Sequence, residues 1–118
     1  MELEGYRWKN RLLLVFGPRR AVAEQRGFLD EVRAGLEDRD LLAGYFPEGG
    51  TGWFADSEVE VGEVSRLRER LGVEGPFAAL LVGKDGGVKE RWTAPVPAAE
   101  VFAKVDEMPM RRREVLGE

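Results

Sequence analysis

Leu12-Leu13-Leu14-Val15-Phe16 offers no polar side chain to water on either side. Successive side chains of a strand point to opposite faces, so a run without polar alternation must be covered on both. Such a strand belongs in the middle of a partly parallel sheet with a layer above and a layer below. Gly17-Pro18 ends the run, and a helical pattern follows. Between Ala21 and Leu36, Val22, Leu29, Val32 and Leu36 share one stripe with Phe28 beside it, while Glu24, Arg26, Asp30, Glu31 and Arg33 face away. Gly27 and Gly35 each weaken that helix by roughly 1 kcal/mol against Ala, so packing rather than propensity must hold it. A second apolar run, Asp40 to Phe46, completes β-α-β, for which a right-handed crossover is expected.

The stretch from Pro47 to Val61 is read as a loop with a hairpin in it. Its glycines predict a turn, while Trp53-Phe54 and the alternation Glu58-Val59-Glu60-Val61 predict extended chain. Glu63 to Leu71 is a short amphipathic helix with Val64, Leu67 and Leu71 inward, stopped by Gly72. Phe77 to Val82 and Val88 to Trp92 are strands joined by Gly83-Lys84-Asp85-Gly86-Gly87, an Asp-Gly turn of the hairpin type. Pro97 to Met108 presents Val101, Phe102, Val105 and Met108 on one helical face. The order is therefore β-α-β, then α-β-β-α: an α/β chain with a mixed central sheet flanked by helices. At 118 residues it is expected to form a single domain, with residues 47–61 as an insertion loop.

Composition closes off most enzymology. The chain has no Cys and no His, so it has no thiol nucleophile, disulfide, zinc finger, Ser-His pair or imidazole acid/base. Ser57, Ser65, Thr51, Thr93, Tyr6 and Tyr45 are the only hydroxyls, and none lies in a nucleophile-elbow or Ser-x-x-Lys setting. No catalytic residue, metal ligand or cofactor is assigned. Eighteen basic against 22 acidic residues give a net charge of −4, which argues against a nucleic-acid partner. The apolar runs are too short for a membrane span, so no membrane partner and a cytoplasmic location are expected; a leader trimmed before residue 1 would leave no trace.

The element order resembles the thioredoxin fold. Two stretches carry the likeness further. Leu71-Gly72-Val73-Glu74-Gly75-Pro76-Phe77 is similar to the segment in which a helix ends and a cis-proline opens the third strand, making Pro76 the candidate for a cis peptide. Gly17-Pro18-Arg19-Arg20 occupies the place, between first strand and first helix, where redox members of that fold carry their cysteines. Tyr6-Arg7-Trp8-Lys9-Asn10-Arg11, Leu81-Val82-Gly83-Lys84-Asp85-Gly86-Gly87 and Met108-Pro109-Met110-Arg111-Arg112 resemble the motifs of the family called domain of unknown function 4174, a cysteine-poor thioredoxin-like group. That resemblance implies a fold with peroxiredoxin-like ancestry, no peroxidatic cysteine and no known activity.

Five residues are candidate binding positions: Arg19, Arg20, Trp53, Phe54 and Pro76. Arg19 and Arg20 precede a helix N-terminus, whose bare N–H groups and dipole attract a small anion; the alternative is that both side chains extend into water. Trp53 and Phe54 make either an exposed aromatic platform for a protein partner or a second copy, or a cover over the sheet edge. Trp8 is expected under the sheet, with Arg11 paired to a carboxylate near the start of the strand. Glu37, Asp38 and Asp40 read as a solvated connection and Arg111-Arg112-Arg113 as cations suited to a helix C-terminus. The leading expectation is a redox-inactive domain that acts as a protein-binding or self-association module. The rival is a sensor or non-thiol enzyme taking an anionic small molecule at the loop after the first strand.

Overall fold

The computed structural model of the protein describes residues 1–117. After a 3-10 turn at Glu4–Tyr6 come β1 (Arg11–Gly17), α1 (Arg19–Asp30), α2 (Arg33–Asp38), β2 (Leu41–Pro47), β3 (Gly52–Phe54), β4 (Ser57–Val59) and α3 (Val61–Arg70). β5 (Ala78–Val82), β6 (Val88–Trp92), α4 (Ala98–Asp106) and α5 (Pro109–Leu116) complete the described chain.

β1 is buried at all seven positions, as its apolar run demands. It lies inside a sheet of order β4-β3-β2-β1-β5-β6. β2 runs parallel to it from Arg11 opposite Leu41 to Gly17 opposite Pro47, and β5 runs antiparallel from Leu12 opposite Val82 to Phe16 opposite Ala78. The pleat divides the core. Leu12, Leu14 and Phe16 pack with Phe46, Phe54, Val64 and Leu67 on the α3 side. Leu13 and Val15 pack with Val22, Leu29, Val101 and Val105 on the α1 and α4 side.

The long helix expected from Ala21 to Leu36 is two helices, broken around Val32. Gly35, within α2, serves the packing of that second helix: a β-carbon there would come within 2.7 Å of the Phe102 ring, so the bare backbone is what lets α2 settle on α4. Residues 52–59 do form a hairpin, with Trp53 opposite Glu58. α5 has no counterpart in the hydrophobic pattern, and the tail of the last expected helix, Met108, is instead the N-cap of α5.

Two local expectations are corrected. No peptide bond among the described residues is cis, so Gly75-Pro76 is trans; Gly75, at φ +80°, makes the turn that the sequence assigned to the proline. Trp8 is 59 % exposed rather than under the sheet. Its backbone is left-handed, φ +69°, and its N–H donates to the Lys84 carbonyl at 2.6 Å, which aims the ring outward beneath the Arg7 guanidinium. The space beneath the sheet belongs to Tyr6, whose ring meets Phe54 edge-on at 5.0 Å.

Candidate functional site

In sheets built from parallel β-α-β units, the carboxyl ends of the strands are where ligands are usually met. Here that end carries Gly17 as the last residue of β1 with Pro18-Arg19 after it, and Pro47 as the last residue of β2, the two strand ends tied together by the Glu48 N–H donating to the Gly17 carbonyl at 2.9 Å. Gly17 has no room for a side chain: a β-carbon would lie 2.9 Å from the Phe77 ring and 3.0 Å from the Pro76 carbonyl oxygen. α1 begins at Arg19 with Pro18 as N-cap, so no side chain caps its first turn.

Between α1 and the β3–β4 hairpin lies an open cleft of about 450 Å³ lined by Arg19, Arg26, Tyr45, Thr51 and Trp53, among others. The Arg26 guanidinium sits 5.2 Å above the Tyr45 ring, and the Arg19 side chain reaches toward Gly50. Burial, with the charge of Asp30 adding to it, pushes the Tyr45 hydroxyl well above the ordinary tyrosine range, so it stays a neutral donor at any physiological pH. Arg19 and Arg20 are both solvent-exposed.

The five candidate positions are divided by this geometry. Arg19 and Trp53 come together in the cleft. Arg20 is not among its lining residues, and Pro76 sits on the β5 side of β1, against Gly17. Phe54 points to the opposite face of the sheet and is only 4 % exposed, buried with Phe46 and Val59. Adjacent residues in a strand must take opposite faces, so a Trp53-Phe54 pair cannot form one platform once β3 is extended. Trp53 is the exposed aromatic of the two.

The other end of the sheet holds a cluster that sequence reasoning largely missed. Arg11 heads β1 with its side chain wholly buried, donating through both terminal nitrogens to Glu114 at 3.1 Å and to the Arg39 carbonyl at 2.9 Å. Lys84 Nζ donates to Glu114 at 2.8 Å and to Asp40 at 2.9 Å. Arg111 donates to the Asp38 carboxylate at 2.6 Å and to Asp106 at 3.3 Å, while Arg39 forks onto Asp106 at 3.0 and 3.1 Å. Four cations thus meet four carboxylates. Asp38 and Asp40 lie in the exposed connection expected of them and also pair with cations of this cluster, whereas Arg111 is a buried member rather than a loose terminal cation. The expected carboxylate partner of Arg11 is Glu114.

The electrostatics follow from that pairing. Burial alone would raise the Glu114 carboxyl, but the hydrogen bonds from Arg11 and Lys84 outweigh it and hold the group below its ordinary range. Asp106 is lowered chiefly by the Arg39 fork. Burial would lower Lys84, yet its two carboxylates raise it. Arg11 Nε is, among the described residues, the one buried side-chain nitrogen or oxygen without a hydrogen-bond partner. A buried donor left in that state costs about 1–3 kcal/mol.

Among the described residues no helix is long and apolar enough to cross a membrane, and no group of three or more carboxylates is placed to hold a metal ion. A family model, Domain of unknown function (DUF4174), matches residues 2–114, nearly the whole chain. The chain belongs to that family. No functionally curated protein matches it. Among solved structures it is similar to the thioredoxin peroxidase I of Plasmodium yoelii, at 13 % identity and a TM-score of 0.68, covering 100 % of this chain and 82 % of that one. It is also similar to the reduced 2-Cys peroxiredoxin of Plasmodium vivax, at 13 % identity and TM-score 0.65, covering 99 % and 74 %. A third likeness is to the mitochondrial 2-Cys peroxiredoxin of Plasmodium falciparum, at 11 % identity and TM-score 0.61, covering 100 % and 85 %. The fold of this DUF4174 domain is therefore thioredoxin-like, and it contains no cysteine. The three strings that carried the family resemblance, around Arg11, Lys84 and Arg111, converge on the charge cluster and not on the loop after β1.

Proposed function

We propose that this DUF4174 domain is a redox-inactive binding module that holds an acidic segment of a partner protein in the cleft beside α1. The observation that carries the reading is the meeting of Arg19, Arg26 and the exposed Trp53 ring on one surface at the carboxyl end of β1 and β2. Aromatic and arginine side chains are the residues that most often anchor interfaces, because each combines a large apolar body with donors. Neither edge strand competes well as a contact. β4 is three residues long with Glu58 in it, and β6 carries Lys89, Glu90 and Arg91, which blunt strand addition. The peroxiredoxins it resembles in fold are 2-Cys or thioredoxin peroxidases by name, and that chemistry has no nucleophile here.

Selection from a random displayed peptide library tests this. Enriched peptides are expected to pair Asp or Glu with an apolar residue and to lose binding to a variant carrying Arg19→Glu and Trp53→Ala. Absence of enrichment, or equal binding by the variant, would sink the reading.

The cleft volume, about 450 Å³, also falls in the range of small-molecule sites, roughly 300–1,000 Å³, and the uncapped start of α1 favours an anion there. An anionic small ligand is therefore the second reading. It would make the melting temperature rise with added ligand, whereas self-association through Trp53 would make it rise with protein concentration.

A further inference from the structure

The cleft beside α1 selects more than the charge of its guest. Arg19 and Arg26 are seven positions apart on that helix, so they stand on one face about 10 Å apart along its axis. Between them the wall is apolar, Val22 and Ala23, and Trp53 lines the far side from β3. No lining residue is acidic, in a chain of net charge −4. Glu58, opposite Trp53 on β4, stands outside the lining.

Both cations are open to a guest. Arg19 is exposed, and among the described residues no hydrogen bond or ion pair engages its guanidinium. Arg26 is half exposed, and its one ion pair runs from Nε to the half-exposed Asp30 at 3.6 Å. A long surface pair of that kind is weak, and it leaves both terminal nitrogens of Arg26 uncommitted.

The spacing decides the conformation of the guest. At Tyr45, β2 is paired with β1 on one side and β3 on the other, so the floor there offers no free strand edge and side chains must do the holding. One face of a β-strand repeats about every 7 Å, then at about 13 Å, and neither distance matches the two arginines. One face of a polyproline II segment repeats every three residues, about 9 Å, which does. A helix about 10–12 Å across would need roughly twice the cleft's volume of about 450 Å³ over the same span.

We infer that the occupant is a polyproline II segment of a partner protein whose acidic side chains lie three residues apart, one on Arg19 and one on Arg26. Proline or another apolar residue between them packs against Trp53. The inference rests on the binding-module reading of the same cleft. Each guanidinium offers its carboxylate a planar fork of donors, and a segment already extended loses little freedom on docking beside an aromatic ring.

The test compares three capped peptides of one composition, two Glu and four Pro, by titration calorimetry with the full chain. The two Glu are adjacent, two apart or three apart. The three-apart peptide is expected to bind about tenfold more tightly than either other, because it alone engages both arginines. Arg19→Gln and Arg26→Gln are each expected to weaken it about tenfold while leaving the melting temperature unchanged. Replacing one of its Glu by Gln is expected to make binding indifferent to one of these variants and still sensitive to the other. Equal affinity for the three spacings, or dependence of both arginines on the same Glu, would overturn the two-point contact and leave the acidic-segment reading standing. No binding by any of the three, while a peptide library still yields acidic binders, would overturn the polyproline segment alone. Failure of both would overturn the two readings together.

Discussion

The two ends of β1 solve different problems. At its carboxyl end the chain is open: Arg19 and Trp53 are exposed, and Gly17 is pressed against Phe77 so tightly that the loop cannot carry a side chain at that point. At its amino end a buried arginine and seven other charged side chains come together from four stretches of sequence, around residues 11, 38–40, 84 and 106–114. In a thioredoxin-like sheet the first end is where a nucleophile would sit, yet the three strings that resemble DUF4174 motifs gather at the second. The contrast teaches that a thioredoxin-like chain without a thiol is not a generic scaffold. Its clustered charged residues fasten α5 and the β5–β6 turn to the start of the central strand, and take no part in the loop after β1.

The sharpest way to break this contrast is Glu114→Ala. It leaves Arg11 buried without its charge partner and takes one of the two carboxylates from Lys84, so a loss of about 3–5 kcal/mol is expected in urea unfolding. Arg19→Ala at the other end is expected to change stability by no more than about 0.5 kcal/mol. Similar losses in the two variants would erase the distinction.

Gly17→Ala gives the next largest effect. The added methyl must displace the Phe77 ring and meets the Pro76 carbonyl, for an expected loss of about 1–3 kcal/mol in the same assay. A neutral outcome would mean that the loop after β1 is as adaptable as its exposure suggests.

Acidity and alkalinity probe the cluster without mutation. Glu114 and Asp106 are held below their unfolded values, about 4.3 and 3.9, so the unfolded chain takes up protons first. Their contribution is complete above about pH 5 and is lost as the pH falls through the folded carboxyl range. Lys84 is raised, so its contribution is complete below about pH 10.4 and is lost as the pH rises through its folded value; Tyr45, raised by burial, adds to the alkaline limb with the same sign. Glu114→Gln is expected to flatten the acid limb of a melting-temperature profile, whereas Arg19→Gln leaves it unchanged. An acid limb untouched by Glu114→Gln would place the acid-sensitive groups elsewhere.

Iodide quenching gives the smallest signal. Trp53 is 40 % and Trp8 59 % exposed, one near each end of β1. Trp53→Phe should therefore remove only part of the accessible fluorescence, with most of the remainder disappearing in the Trp8→Phe, Trp53→Phe double variant and the rest coming from half-buried Trp92. Unaltered quenching in Trp53→Phe would bury the proposed contact.

The layout of the fold was legible because burial writes itself into periodicity. The unalternated β1 run, the Val22-Leu29 stripe and the Asp-Gly turn each announce their element. α5 did not, because Pro109 to Leu116 carries no apolar stripe; ion pairs hold it, and the partners of Arg11 and Arg111 lie 103 and 73 residues away. An arginine at the head of a buried strand signals that a carboxylate must exist, but local pattern cannot say which. Trp53 and Phe54 show the same limit at short range. Their adjacency suggested one surface, and only the pairing of β3 with β2 reveals that they face opposite ways.

The most direct test of this division measures melting temperature and peptide binding together in two variants, using an acidic peptide from the display selection. The Arg19→Glu, Trp53→Ala variant is predicted to lose binding and keep its melting temperature, while Glu114→Gln is predicted to melt earlier and, when folded, bind as the wild type does. If binding and stability instead fell together in both variants, the two ends of the sheet would not be functionally separate, and the division would be wrong.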